Sequence, residues 1–218
     1  MTLSDGPHEA TDGPAPVPER LSFKAMREAV QTCRACELWE DATQAVMGTG
    51  PRPSKARLMM VGEQPGNDED IAGHPFVGPA GRMLDRAILD AGIDRRDVFV
   101  TNAVKHFKFE PRGKRRLHKR PNAYEIERCK WWNDLEIRLV QPKVVVALGA
   151  TAARSLMGRT ITIGQVRGAF LPLESGARLM VTIHPSALLR MQDEADKKRE
   201  YAALVRDLGR CAEALKAA

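Results

Sequence analysis

A glutamate between two glycines, an aromatic ring in a loop, an asparagine at a strand end and two histidines in turns are the side chains best placed for chemistry in this chain of 218 residues. Gly62 and Gly66 bracket Glu63, Gln64 and Pro65, a tight turn that can bring backbone N–H groups and a carboxylate close to a bound group. Pro75-Phe76-Val77-Gly78 puts Phe76 in a loop, where its ring can act as a stacking surface for a planar ligand. Asn102 leaves a strand with an amide that carries both a donor and an acceptor. His118 lies in a basic segment and could simply face phosphate; His184 precedes Pro185 and Ser186 and could simply close a turn. Cys33-Arg34-Ala35-Cys36 has three readings: a redox pair, half of a metal site, or buried thiols. Cys129 and Cys211 lie further along as possible partners.

The elements that must position these groups alternate. Leu58 to Val61 is an apolar run of strand length, and Ala80 to Asp90 carries apolar residues at helical spacing, so the segment between them is a strand-to-helix crossover. Ligands in open parallel sheets sit beyond the carboxyl ends of such strands. Val98 to Val100, Lys143 to Leu148 and Arg178 to Thr182 supply three more strands. Helices are expected from Leu21, with Phe23, Met26 and Val30 on one face, over Asn122 to Val140 with Asn122 as cap, over Ala150 to Met157, and over Asp193 to Lys216. A bent strand pair is expected between Thr160 and Leu173 around Gly164 and Gly168. The order gives an α/β fold, a three-layer α/β/α sandwich with a mainly parallel four-stranded central sheet. Residues 1–20, rich in proline, glycine and acids, read as a disordered tail before a single domain over 21–218.

Charge is concentrated. Between Lys105 and Arg120 stand eight Lys or Arg and one acid, Glu110, a local +7 against +6 for the whole chain. That asymmetry points to one anionic partner surface, most simply a phosphate backbone. Pro111, Gly113 and Pro121 suggest a mobile loop there. No apolar run approaches the roughly 20 residues of a membrane span and no signal-peptide core opens the chain, so a cytoplasmic protein is expected. In that compartment cysteines are free, catalytic or metal-bound. No GxxxxGK[ST] sequence supports a nucleotide-phosphate site.

The double motif over 58–81, LMMVGEQPGNDEDIAGHPFVGPAG, resembles the first motif of the uracil-DNA glycosylase superfamily in its iron-sulfur branch, and His184-Pro185-Ser186 resembles the second. The likeness extends from about Thr32 to the C-terminus. Gln64 and Lys114-Arg115-Arg116-Leu117-His118 resemble more narrowly the UdgX-type members, which attach covalently to uracil-containing DNA. The resemblance implies that uracil is flipped out of DNA, stacked on Phe76, read by Asn102 and by backbone at Gly62 and Gln64, and released as an anion assisted by His184. It implies that Lys114, Arg115, Arg116, Lys119 and Ser186 meet DNA, single-stranded and also double-stranded, as a monomer. His118 would attack the sugar C1′ in place of water, with Glu63 orienting it. An iron-sulfur cluster of the [4Fe-4S] type would be held by Cys33, Cys36, His106 and Cys129, His106 standing where the four-cysteine relatives have a third cysteine. Zinc would satisfy the same ligands. A conventional turnover glycosylase and a non-catalytic iron-sulfur nucleic-acid binder remain as rival readings.

Overall fold

The computed structural model describes residues 20–217; the stretch read as a disordered tail lies outside them apart from Arg20. In chain order the described strands are β1 (Leu58–Gly62), β2 (Val98–Asn102), β3 (Phe109–Arg112), β4 (Arg115–His118), β5 (Val144–Leu148), β6 (Phe170–Pro172) and β7 (Arg178–Thr182). The helices are α1 (Phe23–Gln31), α2 (Leu38–Asp41), α3 (Asn67–Ala72), α4 (Pro79–Asp90), α5 (Ala123–Val140), α6 (Ala150–Met157), α7 (Ile163–Val166), α8 (Pro185–Arg190) and α9 (Glu194–Lys216).

The central sheet runs β2-β1-β5-β7-β6. Its first four strands are mutually parallel, as the alternation of elements requires, and β6 adds an antiparallel edge. The sheet therefore has five strands where four were expected. The segment over 160–173 is not a strand pair: its first half forms α7, Gly168 takes φ 75° at the bend, and β6 pairs with β7. Pairing there covers what would otherwise be the open edge of β7.

Strand residues alternate between two cores, as the two-residue period dictates. Leu58, Met60, Val98, Val100, Val144, Val146 and Met180 face α4, α8 and α9. Met59, Val61, Phe99, Val145, Leu179 and Val181 face α5 and α6. A third cluster, Met26, Val30, Cys33, Leu38, Met47, Cys129 and Trp132 among its members, joins α1 and α2 to the first turns of α5. The helix α5 starts at a reciprocal cap: the Glu125 N–H donates to Asn122 Oδ1 at 2.9 Å and the Asn122 N–H to Glu125 Oε2 at 2.7 Å.

The basic segment is folded into a hairpin and is not an irregular loop. Strands β3 and β4 form a hairpin in which Phe109 opposes His118 and Arg112 opposes Arg115. Gly113, the first of two connecting residues, has φ 60°, which suits the tight turn that matches strand twist.

Candidate active site

Three strand ends meet beside Gly62, the last residue of β1. It pairs in register with Asn102, the last residue of β2. A Cβ built on Gly62 would collide with Asn102 Oδ1, stand 2.7 Å from Phe76 Cζ and lie 3.3 Å from His184 Nε2. Only a glycine leaves room where these three side chains converge. Phe76 reaches the point through a left-handed backbone, φ 59°, uncommon for an aromatic residue. Its carbonyl lies against Gly81 of α4, where any Cβ would collide with it. The Phe76 and His184 rings are 6.0 Å apart and inclined by 22°.

The tautomer of His184 follows from its neighbours. Nδ1 accepts from the Ser186 N–H at 3.1 Å and lies 2.8 Å from the Ser186 hydroxyl. The ring proton is therefore on Nε2, the atom turned toward Gly62. Burial, with Arg190 and His118 adding positive charge nearby, pushes the His184 pKa down to about 4. At neutral pH it is an uncharged donor aimed into the pocket. Ser186, expected to meet DNA, is engaged here with His184 and accepts from Arg190 at 3.2 Å.

Asn102 is held from behind by a buried charge. Lys105 Nζ donates to the Asn102 carbonyl at 2.7 Å, to Thr101 Oγ1 at 2.9 Å, to Asn133 Oδ1 at 3.1 Å and to Glu136 Oε2 at 2.8 Å. Both members of the Lys105–Glu136 pair have fully buried side chains. Glu136 Oε1 also accepts from the Gly48 N–H at 2.8 Å. Lys105, counted among the cations facing phosphate, is thus an internal strut. The local charge is internal at two further places: Lys108 meets both oxygens of Glu125 at 2.7 and 2.8 Å, and Arg116 donates to Asp70 at 2.6 Å and Asn67 at 2.9 Å while lying over Phe107 and Phe109. Arg112, Lys114, Arg115 and Lys119 remain exposed.

The hairpin carries His118 to the rim. Gln64 grips both of its feet: Nε2 donates to the Lys108 carbonyl at 3.0 Å and the Lys119 carbonyl at 3.1 Å, and Oε1 accepts from the Lys108 N–H at 3.1 Å. Its side chain is therefore turned to the hairpin and not to the pocket. His118 Nε2 stands 3.5 Å from Glu63 Oε1. The other Glu63 oxygen accepts from Thr151 at 2.5 Å and lies 3.8 Å from Arg120 Nε. Partial burial lowers the His118 pKa, the Glu63 carboxylate opposes the shift, and Arg190 adds to it. A neutral imidazole beside a fixed carboxylate is competent as a nucleophile or a base. Neither of two surface cavities, about 420 and 550 Å³ around the C-terminal end of α5, is lined by any of these residues.

Cys33, Cys36 and Cys129 share the third core cluster, Cys36 at its margin. The Trp132 indole N–H points at Cys33 Sγ at 3.4 Å and the Lys105 backbone N–H at Cys129 Sγ at 3.2 Å, contacts that suit thiolates. Burial pushes the Cys129 thiol up to about 12 and raises Cys36 as well. His106 is buried, and its pKa falls to about 4, which leaves it in the neutral, ligating form. The donor chemistry therefore suits a metal group, but among the described residues no three His, Cys, Asp or Glu are drawn together tightly enough to hold a metal ion. Cys211 is a buried residue of α9.

Sequence reasoning did not single out Lys105 as a strut, the Gln64 side chain as a clamp, Thr151, or Glu69. Of these Glu69 had a local signal, an acid three residues after Gly66 at a helix start.

Comparison with known proteins gives a consistent result. The family model described as Uracil DNA glycosylase superfamily matches residues 48–209. The type-4 uracil-DNA glycosylase of Thermotoga maritima is 38% identical over 169 residues, 77% of this chain and 83% of its own. The type-4 uracil-DNA glycosylase of Pyrobaculum aerophilum is 36% identical, covering 78% of this chain and 86% of its own. The type-5 uracil-DNA glycosylase of the same organism is 30% identical over 74% of each.

Proposed function

The chain belongs to the uracil DNA glycosylase superfamily, and from that premise we propose that it cleaves uracil from DNA and is then joined through His118 to the sugar it leaves behind. The observation that carries the first half is the convergence of Phe76, Asn102 and His184 on Gly62. It offers a ring to stack on, an amide to read a base edge, and a neutral N–H donor where negative charge develops. Arg112, Lys114, Arg115 and Lys119 are the cations available to the backbone phosphates.

Support for the second half is the pairing of His118 with Glu63. In this reading the unprotonated ring nitrogen of His118 attacks C1′, the C1′–N1 bond breaks, and its electron pair leaves on uracil. The His184 Nε2–H holds the charge at the base O2. Glu63 steadies the imidazolium until it loses its remaining N–H proton to solvent, leaving a neutral alkylated ring. A hairpin fixed at both feet keeps the imidazole where a water would otherwise be positioned.

We also read Cys33, Cys36, His106 and Cys129 as the holders of an iron-sulfur cluster, which would brace α1 and the start of α5 against the strand end that carries Asn102. The cluster would supply folding free energy there, and no chemical step passes through it. Anaerobically purified protein should be brown and yield iron with sulfide; stoichiometric zinc without visible absorption would replace this reading with a zinc site.

The decisive experiment incubates the protein with uracil-containing single-stranded DNA and denatures it. A band that survives, absent for His118→Ala and mapping to the Leu117-His118 peptide, is expected. Free abasic DNA accumulating beyond one equivalent of protein would establish the turnover glycosylase instead. An adduct on Lys114 or Lys119, trapped only by borohydride, would assign the chemistry to a Schiff base.

A further inference from the structure

Glu69, in the first turn of α3, touches three separate parts of the pocket. Its Oε2 accepts from the Gly66 N–H at 3.1 Å, closing the turn that carries Glu63. The backbone N–H of Phe76 is turned toward the same carboxylate and favours its charged form. The same Oε2 lies 3.5 Å from Asn102 Nδ2, a long contact of the sort that tightens when a ligand fills a site. The residue is 9% exposed. No other described carboxylate bridges the stacking ring and the base-reading amide.

We infer that Glu69 is the positioning residue that sets base specificity, by fixing which edge of the Asn102 amide faces the base and by holding Phe76 in its left-handed conformation. The inference rests on reading the site as a uracil pocket. A carboxylate only accepts, so the Asn102 NH₂ must face Glu69 and Oδ1 must face the pocket. Oδ1 is indeed the atom nearest the hydrogen-sized space at Gly62. There it accepts from uracil N3–H, and the second Nδ2 hydrogen is left for O4. Cytosine presents a lone pair at N3 and an amino group at C4, which turns both contacts into like-against-like pairs. Burial raises the Glu69 pKa, while the N–H groups of Gly66 and Phe76 and the Asn102 amide work against that rise. If the carboxylate became an amide, its own NH₂ could donate to Asn102 Oδ1. The Asn102 amide would then be free to turn over and offer the cytosine-compatible edge.

The same group explains the backbone of Phe76. A non-glycine residue at φ 59° persists only where its surroundings hold it, and here the Glu69 carboxylate lies on its N–H side while its carbonyl is seated against Gly81.

The test is Glu69→Gln, which keeps size and shape. In protein labelled with ¹⁵N-asparagine, the Asn102 side-chain amide resonances should shift or broaden relative to wild type. Single-turnover processing of uracil DNA should fall roughly tenfold to a hundredfold, the cost of losing one hydrogen bond to a charged group. Competition by single-stranded DNA with cytosine in place of the uracil should strengthen, with affinity for the matched strand carrying thymine there unchanged. A residue that merely supported the fold would lose activity equally in any background. Here the loss should vanish when Glu69→Gln is added to Asn102→Ala, because the oriented amide is already gone. Should Glu69→Gln fold poorly, Glu69→Ala in the same two backgrounds reads the same coupling. Losses that multiply independently, selectivity that survives, or unmoved Asn102 resonances would overturn the inference. A wild-type protein that released no uracil would sink the proposed function instead, and the amide resonances would still decide whether Glu69 orients Asn102.

Discussion

The base-facing rim and the basic hairpin are built on opposite principles. Gly62, Asn102 and His184 stand at or just beyond the ends of strands β1, β2 and β7, whose residues are buried on both faces between helices. Their positions are therefore set by the packing of the whole domain. His118 stands on β4, whose residues are mostly exposed and whose strand pairs only with β3. Two isolated strands are marginal in water, so this hairpin depends on polar fasteners: Gln64 at its feet, Arg116 to Asp70 and Asn67, and Lys108 to Glu125. Under the proposed function, recognition of the base would be carried by the core and capture of the sugar by a handful of hydrogen bonds, so the two should be separable by substitution.

Breaking the rim should have the largest effect. Lys105→Met leaves Glu136 charged and unpaired in the interior and should cost about 3–5 kcal/mol, read by denaturant unfolding, where the double change with Glu136→Met should recover most of it. If the single change proved harmless, the strut behind Asn102 would be decorative.

Acid should act next, and again through the rim. His184 is near pKa 4 when folded and 6.5 when unfolded, so the unfolded chain binds the extra proton first. Its contribution is complete above about pH 6.5 and fades as pH falls through 4, up to about 3 kcal/mol in all. His184→Gln should flatten that part of the stability profile.

Loosening the hairpin should leave stability nearly intact and reduce capture. Gln64→Leu removes three hydrogen bonds to Lys108 and Lys119 and should slow adduct formation by about tenfold or more through misplacement of His118. Binding of uracil DNA should hold. A matching loss of binding would mean that Gln64 also reads the base.

The smallest effect belongs to the exposed cations. Neutralising Lys114 and Arg115 should make log affinity fall less steeply with log salt, by about one unit of slope for each phosphate that is no longer neutralised, with uracil preference unchanged. Arg116 should behave differently, since its guanidinium is fixed to Asp70, and Arg116→Gln should impair capture more than encounter.

What the sequence alone determined about this protein was the frame. Strands buried on both faces read as unbroken apolar runs, helices read as a 3.6-residue period, and the turn between Gly62 and Gly66 reads as punctuation, because each of these signals is local. Gly62, Glu63, Phe76, Asn102 and His184 were read as a set only through the family resemblance, since they lie on three separate strand ends. The hairpin was not legible, since its strands are four residues each and Pro111 cuts short the brief alternation Phe107-Lys108-Phe109-Glu110; only Gly113 marked its turn. The strand β6 was expected only as half of a bent pair over 160–173, because three residues carry no period of their own, and its partner is decided by the free edge of β7. Tertiary structure alone decided the destinations of the charges. Eight cations within sixteen residues look alike in a sequence, but Lys105 meets Glu136 from α5 and Arg116 meets Asp70 from α3, and burial next to a distant carboxylate changes a phosphate-facing cation into a strut. Glu69 reached Asn102 and Phe76 in the same way, across distances in the chain that no local pattern spans.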